Sequence, residues 1–368
     1  MDKSLIKIEI TSQTILKTVF LLIALFFMWQ LRAVFFMFFF SFILYSAFSP
    51  IVEWLVERKI PRILSILLIY IVLFVVVSLI MVLTANILIS QVTHLLSDLD
   101  SIMASFLDVL IRIFPWLRDY INPAEVAQNL INNEGIIQSF VSSKNIANAF
   151  GIVSSVTSVG ITIFALLMIT VYMLNRKEKF YIGLINYLPK ANRKFYIGLM
   201  KKIEIGLGNW FVGELILMLL VGFATWIGLA LPGLFFESYT LSNYALPIAL
   251  LAGLLEAIPN VGPTLTAVIA SIIALGSGDL STTHMTLVTL SQTGYVILLG
   301  VLIQNLEAVF LVPHVMKKAV GVDPIVTILG IISALGLFGI VGAIIVIPLI
   351  ATGQIIFDYF QDLKNSDE

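Results

Sequence analysis

The chain has 368 residues, of which 60% are hydrophobic and only 12% are charged, and its mean hydropathy is +1.05. Because soluble domains carry about 25% charged residues, this composition predicts a polytopic membrane protein. The net charge of −1 gives no reason to expect a nucleic-acid partner. The chain has no cysteine, which excludes disulfides, thiolate nucleophiles and Cys-based metal sites, and neither a cofactor nor a metal is predicted.

Five apolar windows are long enough, or nearly so, to cross the ~30 Å hydrocarbon core of a bilayer. The first window follows several lysines without a small-residue cleavage site, so it is predicted to be a retained span and not a signal peptide. Only residues 30–32 separate the first two windows, which predicts a tight helical hairpin. The windows are 15–30, 33–52, 62–89, 150–174 and 205–231.

Basic residues cluster in the loops 53–62 and 175–203, which the positive-inside rule places in the cytoplasm together with the N-terminus. Segment 90–148 is rich in acidic residues and is predicted to lie on the opposite side. Its apolar residues largely follow steps of three and four, which indicates an amphipathic helix on the membrane surface or against its own domain. A contact between protomers is the alternative. The sequence therefore divides into transmembrane helices 1–3 (1–89), this amphipathic region, and a transport core (149–368).

Two later apolar segments are interrupted by helix-breaking residues. Each half of 244–276 has only about 12 to 15 residues, or roughly 18 to 22 Å, so neither half crosses the membrane alone. A re-entrant hairpin from the outside, with its tip at PNVGP, accounts for both halves. In 325–357 the interruption is GLFG, residues 336–339, and the predicted hairpin enters from the cytoplasm. Between them, His284–Val312 is predicted to be a full span.

The predicted fold is therefore all-α, with about six full transmembrane helices and two re-entrant or broken helical hairpins. If each half is instead a short tilted span, the count becomes about eight spans. Paired broken helices are typical of inverted-repeat transporters, in which unwound backbone at the membrane midplane binds the solute. Prolines that stop helices and glycines that permit close approach mark the predicted tips and hinges, which are Pro259, Gly262, Pro263, Gly336 and Gly339.

Three glutamates lie inside apolar segments, where a charged side chain costs a few kcal/mol and should face a cavity or a partner. A purely structural role is the alternative for Glu214, in packing, and for Glu256, in holding the turn. Gln304 shares a helical face with Glu307, and the amide of Asn260 lies at the first tip. The predicted substrate or ion pathway consists of Glu214, Glu256, Asn260, Gln304 and Glu307.

No catalytic constellation is visible among residues expected at membrane depth. The stretch GSGD at 276–279 contains the GxGD of intramembrane aspartyl proteases, but no second aspartate lies inside an apolar span. Neither HExxH nor a phosphate-binding loop is present. We therefore predict a protein that is not an enzyme, and any transport by it is secondary or passive.

The stretches GELIL (213–217), LLEAIPNVGP (254–263) and QNLEAVFLVPHVM (304–316), together with 320–351, resemble the autoinducer-2 exporter family of bacterial membrane proteins over nearly the whole chain. The resemblance implies a multi-pass exporter of the bacterial inner membrane with about eight spans. It also implies a homo-oligomer, for which a pentamer is one assembly. Some members are proposed to export autoinducer-2, and others to exchange Na⁺ or Li⁺ for H⁺.

This sequence departs from the family pattern at Glu214, Asp323 and Asn260, which make the site more acidic and polar and favour cation coupling. Two functions are expected from these residues. The first is secondary export of a small polar solute, with autoinducer-2 as one candidate. The second is Na⁺(Li⁺)/H⁺ antiport at the intramembrane glutamates. A non-transporting scaffold that binds partners through 90–148 is a third hypothesis, but it leaves the buried glutamates unexplained.

Overall fold

The computed structural model describes residues 12–114, 116, 146–186, 193–236, 239, 241–258, 261–277, 283–316 and 323–366. In these ranges five helices are long and apolar enough to cross a membrane, and a sixth span is added if the bent pair around residue 176 counts as one. The prediction of an all-α polytopic membrane protein is confirmed. The helices are α1 (Ser12–Gln30), α2 (Arg32–Glu57), α3 (Arg62–Ile113), α4 (Ile146–Asn175), α5 (Lys177–Asn186), α6 (Arg193–Ala230), α7 (Ala245–Leu255), α8 (Gly262–Ser277), α9 (Thr283–Leu306), α10 (Val312–Val315) and α11 (Pro324–Ser366).

The junction of α1 and α2, where a tight hairpin is predicted, is very short. A single residue, Leu31, separates the two helices, which is fewer than the 2–5 residues that usually join antiparallel helices. The amide of Leu31 donates to the Phe27 carbonyl, and the amide of Phe35 donates to the Leu31 carbonyl. These bonds close the last turn of α1 and the first turn of α2, and the reversal of the chain between the two helices stays a prediction.

Helix α3 runs for 52 residues without a break, so the boundary predicted at residue 89 falls inside it. Its second half packs against its own domain, because Ile102 is 2% exposed and lies in a core cluster with Ala274 of α8. Gln91 accepts a hydrogen bond from the Leu246 amide at 3.0 Å and thereby caps the first turn of α7. The amphipathic region is thus helical against its own domain as far as Ile113, and residues 117–145 lie outside the described ranges.

The basic segment 175–203 is largely helical, which corrects its assignment as a loop. Helix α5 follows α4 after one residue and is bent from it by 88°. Helix α6 begins at Arg193, twelve residues before the predicted window, because lysine and arginine are good helix formers and extend it into the polar region. Most of the buried residues of α6 follow steps of three and four, and α6 packs against α2, α7, α9 and α11.

The first broken segment folds back on itself as predicted. Helices α7 and α8 have 11 and 16 residues, or roughly 17 and 24 Å, so both are shorter than the bilayer core. Ala245 and Ile248 of α7 share one core cluster with Ala270 and Ala274 of α8, an antiparallel pairing. Pro259 and Asn260, at the predicted tip, lie outside the described residues. The side from which the hairpin enters a membrane stays a prediction.

The second broken segment also folds back, although by length and composition alone 325–362 would pass as one span. Gly339 has φ 66° and ψ −158°, a left-handed conformation that interrupts α11. A Cβ on Gly330 would lie 2.6 Å from Ile350 Cδ1 and 3.3 Å from Val346 Cγ2. Residues 330 and 350 would be about 30 Å apart along a straight helix, so the chain reverses at Gly339, within the predicted GLFG hinge.

The backbone at Gly339 leads to a matched pair of predictions. We expect Gly339→Ala to lower the free energy of unfolding by about 1–3 kcal/mol, because side-chain-bearing residues rarely adopt this φ/ψ region. Gly336→Ala is the control, since a Cβ there meets no atom within 4 Å and no positive φ is involved. It should be neutral or stabilising by up to about 1 kcal/mol. Thermal unfolding in detergent would measure both, and equal effects would contradict the proposed strain.

Candidate functional site

Glu256 follows the last residue of α7 and is completely buried. Its amide donates to the Ala252 carbonyl at 3.0 Å, so the residue still belongs to the end of the helix. A Cβ on Gly262 would lie 2.6 Å from Glu256 Oε2, which places this carboxyl group against the first turn of α8. Helix N-termini carry a partial positive charge, so this position favours a carboxylate.

Glu307 begins a π turn, Glu307–Leu311, between α9 and α10. The amide of Val312 donates to the Glu307 carbonyl, a bond that spans five residues instead of four. The next residue, Pro313, has no amide hydrogen, so a regular α-helical pattern would be broken at this place in any case. The Glu307 side chain is 1% exposed. Single π turns inside α-helices occur frequently at functional sites.

Glu214 lies in the middle of α6 and is 4% exposed. Its neighbour Gly213 allows α10 to approach closely, because a Cβ there would lie 2.7 Å from Met316 Sδ and 3.5 Å from Val315 Cγ1. Neither carboxyl oxygen of Glu214 has a hydrogen-bond partner in the described part of the chain. Small residues allow neighbouring helices to approach closely, and Gly213 does so beside Glu214.

The structure brings these three side chains together, and we call Glu214, Glu256 and Glu307 the carboxylate cluster. Glu256 interacts electrostatically with Glu307 and, more weakly, with Glu214, and Glu214 in turn interacts with Glu307. The carboxyl oxygens of Glu214 and Glu256 have no hydrogen-bond partner in the described part of the chain. Three carboxyl groups from separate helices are therefore close enough to interact at depth.

The chemistry of the cluster is limited to protons and weakly held cations. In the described residues no three His, Cys, Asp or Glu side chains are close enough to hold a metal ion, so the cluster is not a multidentate metal site. Three ionised carboxylates at this depth would repel one another and be poorly solvated. Each must therefore hold a proton, share one, or face a cation.

The structure places the other candidate residues outside the carboxylate cluster. Gln304 is half-buried and has no described contact with the carboxylate cluster. His314 is exposed, and its Nδ1 lies 2.6 Å from the Phe310 carbonyl oxygen. Gly336 and Gly339 belong to the second hairpin, whose tip packs through Phe338 against the rings of Trp29 and Phe36 of α1 and α2.

Beyond the cluster, two cavities lie along α9. The first has about 20 Å³ and is lined by the hydroxyl-bearing residues Thr225 and Thr266. Pro263 and Ile303, which are close in the chain to Glu256 and Glu307, also line it. The second, of about 460 Å³, lies near the start of α9 and is lined in part by Gln292 and Tyr295. We call them the threonine cavity and the outer vestibule.

The outer vestibule is aromatic with a few polar groups. Phe235 and Phe236 line its exposed part. The hydroxyl of Tyr295 donates to the Gly228 carbonyl at 2.7 Å, whereas the buried hydroxyl of Tyr239 has no hydrogen-bond partner in the described ranges. Burial, with a smaller contribution from Tyr295, raises the pKa of Tyr239 above its ordinary value, so this hydroxyl stays protonated.

At the other end of α6, a charged pocket of about 660 Å³ contains an ionic network that sequence reasoning missed. Lys177 Nζ lies 3.1 Å from Glu204 Oε1, 3.3 Å from Glu53 Oε1 and 2.9 Å from Ser49 Oγ. The hydroxyl of Tyr181 donates to Glu204. Arg62 binds Glu53 at 2.9 Å and the Leu174 carbonyl at 2.7 Å. The basic residues of this region were interpreted only as indicators of topology, and Glu53 and Glu204 gave no separate signal.

Comparison with known proteins agrees with this architecture. The model of the AI-2E family transporters matches residues 18–362. YueF of Bacillus subtilis (strain 168), described as a candidate transport protein, is 29% identical over 323 residues, which cover 86% of this chain and 81% of YueF. YrrI of the same organism is 23% identical over 86% of this chain and 83% of its own length. PerM of Escherichia coli (strain K12), described as a candidate permease, is 26% identical over a region that covers 70% of this chain and 68% of PerM. The chain therefore belongs to the AI-2E family of membrane transporters.

Proposed function

We propose that this membrane transporter is a secondary cation/proton antiporter in which the carboxylate cluster holds a proton and a monovalent cation in turn. The observation that carries the proposal is the electrostatic interaction between the buried carboxyl groups of Glu256 and Glu307 beside Glu214. Carboxyl groups at membrane depth are expensive and commonly mark ion pathways and proton relays. A shared proton that leaves when a cation arrives would keep the charge of the site constant.

The surroundings of the cluster support a small ion over a larger solute in this conformation. The threonine cavity has about 20 Å³, which is room for one water molecule. The cluster is not a closed set of metal ligands, so a cation would be held weakly, as turnover requires. Polar groups lie near both ends of α6, in the outer vestibule at one end and in the ionic network at the other. They would give the ion access to the cluster from the two sides of the membrane.

Export of a small polar solute is a second candidate, favoured by the family description itself. In this version the proton exchanged at the cluster drives the solute, with autoinducer-2 as one candidate. We place the chain in the bacterial cytoplasmic membrane, since its spans are α-helical and its relatives come from bacteria. The homo-oligomer implied by the resemblance is part of the proposal.

The test uses purified protein in liposomes that carry an inside-acidic pH gradient and a pH-sensitive dye. Addition of Na⁺ or Li⁺ should collapse the gradient, whereas choline should not. Dye signals equal to those of protein-free liposomes for all three cations would overturn antiport. In parallel, autoinducer-2 in the medium should fall in a deletion strain and recover with the intact gene if the solute version holds, and an unchanged level would eliminate it.

A further inference from the structure

The threonine cavity contains a polar group whose environment does not account for it. Thr266 is 3% exposed, and its hydroxyl has no hydrogen-bond partner in the part of the chain that the structure describes. Thr225, across the cavity, is 6% exposed and donates its only hydroxyl proton to the Val221 carbonyl at 2.8 Å. One hydroxyl can therefore donate or accept, and the other can only accept. A buried hydroxyl without a partner is costly, so the arrangement indicates a missing third group.

Size and chemistry identify this group as water. A volume of about 20 Å³ exceeds the 10–15 Å³ that one water molecule needs. Hard cations such as Ca²⁺ take 6–8 oxygen ligands, and two hydroxyls among the apolar side chains of Ile248, Val296 and Ile303 do not provide such a set. A water molecule needs only about 2–4 polar partners, and the two threonine hydroxyls supply two of them.

The cavity also lies in the right place to connect the cluster with the outside. Ile303 lines it one helical turn before Glu307, and Pro263 lines it next to Gly262, which touches Glu256. On α6, Thr225 is three turns beyond Glu214 and lies on the same face. At the far end Val296 lines the threonine cavity, and the adjacent residue Tyr295 lines the outer vestibule.

We propose that a water molecule bound by Thr225 and Thr266 relays protons between the outer vestibule and the carboxylate cluster. This inference rests on the proposed proton-coupled function and adds the route by which the proton arrives. The water accepts a proton from the vestibule side and passes one to a carboxylate of the cluster, so that an O–H bond forms at each step as another breaks. The threonine hydroxyls orient the water, and each of them carries the same number of protons at the end of the cycle as at its start.

The test compares Thr266→Val, which keeps the shape but removes the hydroxyl, with Thr266→Ser, which keeps the hydroxyl. In the liposome assay Thr266→Val should lower the proton flux by about tenfold, the effect of losing one hydrogen bond to a proton-carrying group. Thr266→Ser should retain most of the flux. Thr293→Val is the matched control, because Thr293 is equally buried and bonds only to the Thr289 carbonyl of its own helix.

Thermal unfolding gives a second readout that does not depend on transport. If the water is bound, Thr266→Val loses its hydrogen bond and the melting temperature should not rise. If the cavity is dry, the same change removes an unsatisfied hydroxyl and the melting temperature should rise. A raised melting temperature, or a flux equal to that of the wild type, would overturn the relay. A wild type without any proton flux would instead count against antiport, and the unfolding experiment would still decide whether the water is there.

Discussion

Glu256→Gln is expected to reduce Na⁺-dependent proton flux to the level of protein-free liposomes. Glutamine has nearly the same shape as protonated glutamic acid, so the hairpin should remain folded. It cannot bind or release a proton, and it brings no charge to balance a cation. Because Glu256 is completely buried and interacts electrostatically with Glu307, a solvent-exposed group is not expected to replace it. The flux, measured with the same dye assay, should therefore disappear while the melting temperature changes little.

Two further variants make this result specific. Glu57→Gln changes an exposed glutamate at the end of α2, and it should leave the flux as in the wild type. Glu214→Gln removes the member of the cluster whose electrostatic effect on Glu256 is weaker than that of Glu307, so it should alter the cation concentration for half-maximal flux more than the maximal flux. A folded Glu256→Gln protein with wild-type flux would show that the cluster is structural and that protons cross elsewhere.

Gly262→Ala is expected to disable both folding of the first hairpin and transport. A Cβ at this position would lie 2.6 Å from Glu256 Oε2, 2.7 Å from its backbone nitrogen and 2.8 Å from its Cα. The carboxyl group could rotate away, but the two backbone atoms could move only if the turn between α7 and α8 opened. Overpacking of this kind typically costs about 1–3 kcal/mol. The additional loss of the Glu256 position should lower the flux beyond what the stability change explains.

Gly294→Ala provides the comparison for this prediction. Gly294 is an exposed helical glycine of α9, and a Cβ there meets no atom within 4 Å. Alanine should therefore be neutral or stabilise the protein by up to about 1 kcal/mol through its higher helix propensity. Melting temperature and proton flux of both variants would be measured side by side. If Gly262→Ala behaved like Gly294→Ala, the close contact with Glu256 would have no functional consequence.

The members of the cluster could be identified from the sequence because the energetic cost of a carboxylate at membrane depth follows from the apolar residues next to it in the chain. A carboxylate in an apolar stretch requires a partner whatever the fold, so Glu214, Glu256 and Glu307 could be singled out without a structure. The second reversal was predictable for a similar reason, since GLFG contains two glycines in a segment too long for one straight span. The convergence of three separate helices on one point depends on long-range packing, and no local pattern contains it.

The errors have equally specific causes. Helix α3 was divided at residue 89 because hydropathy falls there, but helix formation depends on backbone hydrogen bonds that continue after the apolar face ends. Glu53 and Glu204 lie near the basic segments, where charged residues are expected for orientation alone, so their pairing with Lys177 was not visible.

The π turn at Glu307 has a mechanical consequence. A π turn contains one residue more than a regular turn, and a helix can pass such an extra residue along its length by exchanging one hydrogen bond at a time. When the extra residue moves by one position, the residue that it passes rotates by about 100° about the helix axis, whereas the turns on both sides keep their orientation. A short screw movement of this segment would therefore turn the Glu307 carboxyl group away from Glu256 while both ends of the helix stay in place. The two neighbouring carboxyl groups would then differ in mobility, because Glu256 lies at the end of α7 whereas Glu307 lies on a segment that can rotate.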